Sequence, residues 1–256
     1  MTAKVFRPSF KATLIALPLF LTLLGLGTWQ IERLQWKTAL IADMQARLAM
    51  PPEALIDLLP LGPAANYRPV YVVGVYRHDH EMQLQARTHD GQIGVQLVTP
   101  VQLTESRSRE DIGSGVTAQV DAVLVNRGWV PLDRRDPRTR LDSWTMGEVV
   151  LTGILRWPTE PGRFTPENHP DKSEWYWLDL PAMATQSELP RVAPAYIELG
   201  RSRSEPDRLP IGGQTIVELP NNHLQYALTW YALAAALLAT YILSQRRSPD
   251  AEPKVP

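Results

Sequence analysis

Two apolar segments near opposite ends of the chain constrain its fold more than anything between them. Ala12 to Trp29 and Ala227 to Leu243 carry no charged side chain. At ~1.5 Å per helical residue they span roughly 25–27 Å, close to a bilayer's ~30 Å hydrocarbon core once interfacial residues are added. The intervening stretch, about Gln30 to Tyr226, is polar, strand-like and punctuated by proline. With 44% hydrophobic and 21% charged residues in 256, it can bury a real core. The chain therefore reads as a folded domain tethered to a membrane at both ends.

The first segment reads as a retained anchor rather than a cleaved signal peptide. Lys4, Arg7 and Lys11 would serve as a basic n-region. Against cleavage, the apolar run exceeds a typical h-region of ~7–15 residues and no small-x-small site follows it. It continues instead into Trp29-Gln30-Ile31-Glu32-Arg33-Leu34-Gln35-Trp36-Lys37, a helical sequence without a breaker, and Pro18 is expected to kink the span. Basic residues flank the first segment on its N-terminal side, and Arg246 with Arg247 follow the second, which places both termini in the cytoplasm. Arg33 and Lys37 pull the other way. No Arg-rich, acid-poor presequence precedes the first anchor, so the expected location is a bacterial inner membrane with the main domain periplasmic. The expected division is a cytoplasmic N-terminus (1–11), a first transmembrane helix (12–29), a periplasmic β-rich domain (30–223), a second transmembrane helix (224–243) and a cytoplasmic tail (244–256).

Strand signals dominate the middle. Pro69 to Tyr76, Gly94 to Thr99, Val120 to Val125, Glu148 to Leu155 and Gln214 to Leu219 are rich in β-branched residues. Asp90-Gly91, Gly113-Ser114-Gly115, Pro161-Gly162 and Gly212-Gly213 supply turns between them. The expected fold is a β-rich, mainly antiparallel sheet or barrel-like extracytoplasmic domain flanked by two transmembrane α-helices. Other helices are expected over Gln30 to Leu48, Glu53 to Leu59 and Pro181 to Glu188, with exposed loops at Thr104 to Gln119 and Arg201 to Pro210.

Several function classes drop out. A net charge of −1 and the lack of a long basic run give no footprint for nucleic acid. With no cysteine, disulfides, thiolate metal sites and a cysteine nucleophile are excluded. No serine sits in a Gly-x-Ser-x-Gly elbow and no phosphate-cradling glycine loop occurs, so no enzyme activity is expected. His78, His80 and His89 could form a metal site if the first two lay on an extended strand, or could simply decorate a solvated hairpin.

His223 opens the second apolar segment. On a helix it shares a face with Tyr226, Ala227, Trp230 and Ala234. An imidazole at the lipid–water boundary above aromatic and small residues could hold the iron of a flat macrocycle. It could equally be a capping or interfacial histidine that bonds only to backbone.

Three motifs bring in a family. Gly27-Thr28-Trp29-Gln30-Ile31-Glu32-Arg33-Leu34-Gln35-Trp36-Lys37, Asn126-Arg127-Gly128-Trp129-Val130-Pro131 and Pro220-Asn221-Asn222-His223-Leu224-Gln225-Tyr226-Ala227-Leu228-Thr229-Trp230 resemble, in order, the hallmarks of the Surfeit-locus family of cytochrome c oxidase assembly factors. Trp175 to Leu180, ending in Met183-Ala184, fits as well. The resemblance implies an inner-membrane protein that assists maturation of a haem–copper oxidase at the delivery of haem a to subunit I. Its implied partners are that subunit, the haem a synthesis machinery and the lipid bilayer. It places the family's proposed haem contact on His223; with the residues that share helical faces near it, the candidate contact set is His223, as iron ligand, with Tyr226, Trp230, Trp29 and Arg33. The alternative is a cofactor-free scaffold that stabilises an oxidase intermediate.

Trp29, Arg33 and Trp36 share a helical face, where Arg33 could pair with haem propionates or where the stripe could pack against protein and headgroups. Arg127 and Trp129 are expected to lock a strand to a neighbouring loop. Gly25 and Gly27 face Ala232, Ala234, Ala235, Ala236 and Ala239 as a small-residue basis for pairing the anchors, or for docking one on a partner's helix.

Overall fold

A computed structural model describes residues 5–104, 120–202, 208–214 and 220–247. It divides into two units, residues 1–43 with 217–256, and residues 44–216.

The first unit is helical. α1 (Phe10–Leu48) follows a two-residue strand, β1 (Val5–Phe6), and α4 (His223–Ser244) precedes another, β10 (Arg246–Arg247), with which β1 pairs antiparallel. Both helices are long and apolar enough to cross a bilayer, and only 11% of each apolar window is buried by protein. They support a membrane protein. At 39 residues α1 is about 58 Å long, so it outruns the hydrocarbon core and carries Gln30 to Leu48 beyond it without a break. Pro18 sits inside this continuous helix, and the hydroxyl of Thr22 donates to its carbonyl at 2.9 Å.

The second unit is a β-barrel. Its strands are β2 (Glu53–Ala54), β3 (Pro69–Tyr76), β4 (Met82–His89), β5 (Gln92–Leu103), β6 (Ala122–Pro131), β7 (Glu148–Arg156), β8 (Glu174–Trp175) and β9 (Val192–Leu199). The order β3-β7-β9-β6-β5 closes on itself because the end of β5 pairs with β3, Gly74 to Tyr76 against Leu103 to Val101. Closure demands close approach: a Cβ at Gly74 would run into the Gln102 carbonyl, so glycine is needed there. Every ladder around the ring is antiparallel except β6–β9. β5 is long enough to serve both the ring and a hairpin with β4, joined by the predicted Asp90-Gly91 turn with both residues at positive φ.

Both barrel faces are covered along β6. Val123 and Val125 pack inward with Val70, Val72, Leu155 and Ile197, and the short helix α2 (Leu55–Leu58) plugs this core with Leu55 and Leu58. Leu124 points outward into a second cluster with Met82, Leu84, Trp175 and Tyr196, roofed by Leu180 and Met183 of α3 (Leu180–Gln186). Asp179 caps α3, accepting from the Ala182 amide at 3.1 Å.

Besides the two-residue strands, two eight-residue strands were absent from the sequence expectation. β4 is polar on its exposed side, and β9 contains Pro194, a residue normally kept off central strands. Pro194 is tolerated because β7 pairs only with Tyr196 to Leu199, and the β6 ladder is irregular there. The expected strand at Gln214 to Leu219 falls largely outside the described residues, as does nearly all of the Thr104 to Gln119 loop. In the Arg201 to Pro210 loop the described residues carry no helix or strand.

Candidate functional site

The two long helices run antiparallel along a seam with a 3.5-residue repeat. On α1 the positions turned inward are Thr13, Ala16, Phe20, Leu23, Gly27, Gln30, Leu34 and Lys37; on α4 they are His223, Ala227, Trp230, Ala234, Leu237 and Tyr241. Alternating steps of three and four keep one stripe of each helix against the other, the pattern of left-handed helix packing. The core of the seam is tight where side chains are small. A Cβ on Gly27 would lie 2.7 Å from the Tyr231 ring. Nearer the chain termini an apolar cavity of about 100 Å³ opens between Ala16, Leu17, Phe20, Leu237 and Leu238, closed by a 2.5 Å contact between the Thr13 and Tyr241 hydroxyls.

The anchors thus pair, but not through the stripe the sequence suggested. Gly25 has open space where its side chain would be, and Ala232, Ala235, Ala236 and Ala239 are exposed; only Gly27 and Ala234 of the expected set lie in the seam. The reason is register: Tyr231 fills the room left by Gly27, so aromatic-on-glycine packing replaces small-on-small.

At the opposite end the seam turns polar. His223 is half-buried and its Nδ1 lies 2.7 Å from Oε1 of Gln30. A carboxamide oxygen can only accept, so Nδ1 carries a proton, and in the neutral ring the lone pair then lies on Nε2. Two further bonds fasten the lead-in to α4 onto α1: Lys37 donates to the Pro220 carbonyl, and Asn221 Nδ2 donates to Thr38 Oγ1 at 3.2 Å. His223 is therefore not the backbone-bonded cap that one sequence reading allowed, and Asn222 at the N-cap makes no side-chain cap bond.

Other expected contact residues lie around this point with different exposures. Trp230 is half-buried in the seam, whereas Tyr226 is 55% exposed and off it. Trp29 and Trp36 are also about half exposed, and the Arg33 guanidinium stacks 3.9 Å above the Trp36 ring. By helical geometry this Trp–Arg–Trp stripe sits roughly a quarter turn from the seam. The structure thus brings His223 and Gln30 together, places Trp230 two turns further along the same stripe of α4, and leaves Trp29, Arg33 and Tyr226 more exposed. Gln30 was quoted in the sequence motif without a role. Its signal was a polar side chain between Gly27 and Leu34 in the three-four repeat of the seam.

In terms of donor chemistry, the residues fit a haem: an imidazole whose Nδ1–H is engaged by Gln30 and whose Nε2 has no hydrogen-bond partner among the described residues, with Trp230 on the same face of α4 and the Arg33 guanidinium on α1.

The barrel unit holds a second polar cluster, and it is structural. Arg127 is the extra residue of a β-bulge between Leu97–Gly128 and Val98–Asn126 pairs, which re-aims its side chain. It donates to the Ser143 carbonyl and approaches Glu81 at 3.5 Å. Arg140 forks onto the same carboxylate, with Nη1 at 3.0 Å from Oε2, and bonds the Arg134 carbonyl at 2.9 Å. The side chains of Glu81, Arg127 and Arg140 are 3%, 5% and 0% exposed. Arg127 thus locks β6 to the loop at 137–143, as expected from sequence, while Trp129 bonds the Arg87 carbonyl at 3.2 Å and pairs its backbone with Ile211. Burial lowers the Arg127 pKa, opposed by Tyr76 and Glu81. It pushes the Tyr76 phenol up to about 12, against the pull of Arg127.

His78 belongs to this cluster. It lies in a 3₁₀ turn (His78–His80), not on an extended strand, stacked between Tyr76 and Trp144 at 5.2 and 4.9 Å. Its Nε2 lies 3.1 Å from the Thr145 carbonyl, and burial lowers its pKa. His80 faces Asp79, and His89 tilts against Trp129. Among the described residues no three His, Asp or Glu side chains are grouped to hold a metal, so these three histidines do not form the metal site considered above.

The model of the SURF1 family matches residues 17–235, which takes in the barrel and most of both long helices. A SURF1-like protein of Monosiga brevicollis is 35% identical over 237 residues, covering 87% of this chain and 83% of its own. Surfeit locus protein 1 of Mus musculus is 37% identical over 244 residues (89% and 74%), and that of Homo sapiens 37% over 234 residues (84% and 71%).

Proposed function

The chain belongs to the SURF1 family, and from that membership we propose that it is a membrane-anchored assembly factor for a haem–copper (cytochrome c) oxidase. In this reading it binds haem a at His223 and passes it to subunit I, alongside the machinery that synthesises haem a. It sits in a bacterial inner membrane with the barrel periplasmic and both termini cytoplasmic. Its role is to bind and hand over, not to catalyse.

The observation that carries the haem reading is the state of His223: a half-buried imidazole whose Nδ1–H is engaged by Gln30 and whose Nε2 has no hydrogen-bond partner among the described residues. When bound, haem a supplies the iron centre that the oxidase requires. The chain's own residues do the rest. His223 offers one nitrogen, Trp230 and Tyr226 offer aromatic surface, and Arg33 offers a guanidinium to a propionate with Trp36 at its back.

The test is made in the host. Removing the gene and supplying it back as wild type or His223→Ala, one measures the haem a content of purified subunit I and whether subunit I co-purifies. The reading expects haem-poor subunit I without the protein and with His223→Ala, and normal content with wild type. Full haem content with His223→Ala, but not without the protein, favours the cofactor-free scaffold. Unchanged subunit I in the deletion removes the assembly role itself.

A further inference from the structure

We infer that Gln30 is the positioning residue of the haem-binding imidazole: it selects the His223 tautomer that presents Nε2 to iron. This rests on the reading of His223 given above and extends it to a residue on the other helix.

The geometry is specific. Gln30 occupies a seam position of α1, one residue after Trp29, and its Oε1 meets His223 Nδ1 at 2.7 Å. Nδ1 lies next to the Cβ, where the helix backbone crowds any bulky ligand. Nε2 is the outer nitrogen and the better placed for a macrocycle. An unpartnered neutral imidazole can carry its proton on either nitrogen, and a proton on Nε2 must leave before iron can bind. With Gln30 accepting from Nδ1, His223 would offer the Nε2 lone pair to a haem iron without losing a proton and without a change of redox state. The same bond fixes the ring's rotation and strengthens the electron donation of Nε2, as outer partners of metal-bound histidines do.

The backbone beneath the ring is fixed too. The Lys37–Pro220 and Asn221–Thr38 bonds pin the residues leading into α4 to the turns of α1 just beyond Gln30. The imidazole is thus held from both sides, by its own ring nitrogen and by its main chain. A polar pair at the mouth of an apolar seam has a packing explanation as well, so the test must separate positioning from packing.

Full-length protein in detergent micelles is titrated with ferric haem b, as haemin, and the Soret change gives the affinity. Variants are His223→Ala, Gln30→Met, which keeps the volume without the acceptor, and Gln30→Glu, which strengthens the acceptor. The iron–imidazole stretching frequency and the ferric/ferrous midpoint potential are recorded for each haem-bound form. The expected result is wild-type binding, loss with His223→Ala, and about 10–100-fold weaker binding with Gln30→Met. Gln30→Glu binds at least as well as wild type, with a higher stretching frequency and a lower potential. If Gln30→Met binds as wild type while His223→Ala does not, the role of Gln30 is overturned and the haem reading stands. If Gln30→Met weakens binding but Gln30→Glu leaves frequency and potential unmoved, Gln30 only packs, and the inference is again overturned. If wild type binds no haem, the haem reading falls and takes this inference with it.

Discussion

The buried carboxylate of Glu81 offers the sharpest test of what holds the barrel together. It lies between two guanidinium groups, and all three side chains are almost wholly removed from solvent. Glu81→Gln keeps the shape and most of the hydrogen bonding but removes the only negative charge of the trio. Two cations then face one another without water. Breaking a buried pair by removing one partner costs about 3–5 kcal/mol. For a domain of this size each kcal/mol shifts Tm by roughly 2–4 °C, so the expected loss is about 6–20 °C. Thermal unfolding of the full-length protein in detergent, followed by the β-sheet circular dichroism signal, reads it directly. The triple variant Glu81→Leu, Arg127→Met, Arg140→Met removes all three charges together and is expected to regain most of that loss, because apolar replacement of a buried ion group is often neutral or stabilising. A Glu81→Gln Tm within about 2 °C of wild type, or a triple variant no better than the single one, would refute the reasoning.

Three further outcomes are expected. His78 is held neutral by burial between Tyr76 and Trp144, with Arg127, Arg140, Glu81 and the Thr145 carbonyl around it. Its folded pKa is lowered, so below about pH 6.5 the unfolded chain takes up a proton that the folded one refuses, and stability falls as pH drops through that region. The slope from this one group is at most about 1.4 kcal/mol per pH unit, and His78→Phe should flatten the low-pH limb in denaturant titrations; an equally steep limb in that variant contradicts it. Gly27→Val should force Tyr231 out of the seam at about 1–3 kcal/mol. Because the chain has no cysteine, an Ala16→Cys, Leu238→Cys pair reports helix pairing by disulfide yield, which should fall with Gly27→Val; an unchanged yield contradicts the packing. Asp179→Ala removes the cap of α3 and should cost about 0.5–2 kcal/mol in the same unfolding assay, with no loss contradicting the capping role.

Much of this architecture was legible where local chemistry and tertiary demand agree. Pro69–Tyr76 is a strand in both, because β-branched residues alternate there between core and surface. β4 was missed although Met82 and Leu84 alternate with glutamines, since its apolar content is low and its other face is solvent. β9 was hidden by Pro194, which only the irregular ladder beside it makes acceptable. The closure of the sheet depends on β5 pairing with β3, a contact between strands with β4 between them in sequence, and no local signal announces it. His223 was visible as an ionisable residue at the start of an apolar helix. Its partner was not, because Gln30 lies 193 residues away and only the register of the two helices brings them together. The same register explains why the alanines of α4 misled: a small residue marks close packing only where the partner's stripe meets it.

On the proposal that this chain holds haem through a single imidazole at the mouth of its helix pair, the deciding measurement is the visible spectrum of the full-length protein isolated from cells that make haem a, as wild type and as His223→Ala. The wild type is expected to show a Soret band that is lost or greatly weakened by the substitution. A wild type without a Soret band, or identical spectra from the two proteins, would contradict the proposal.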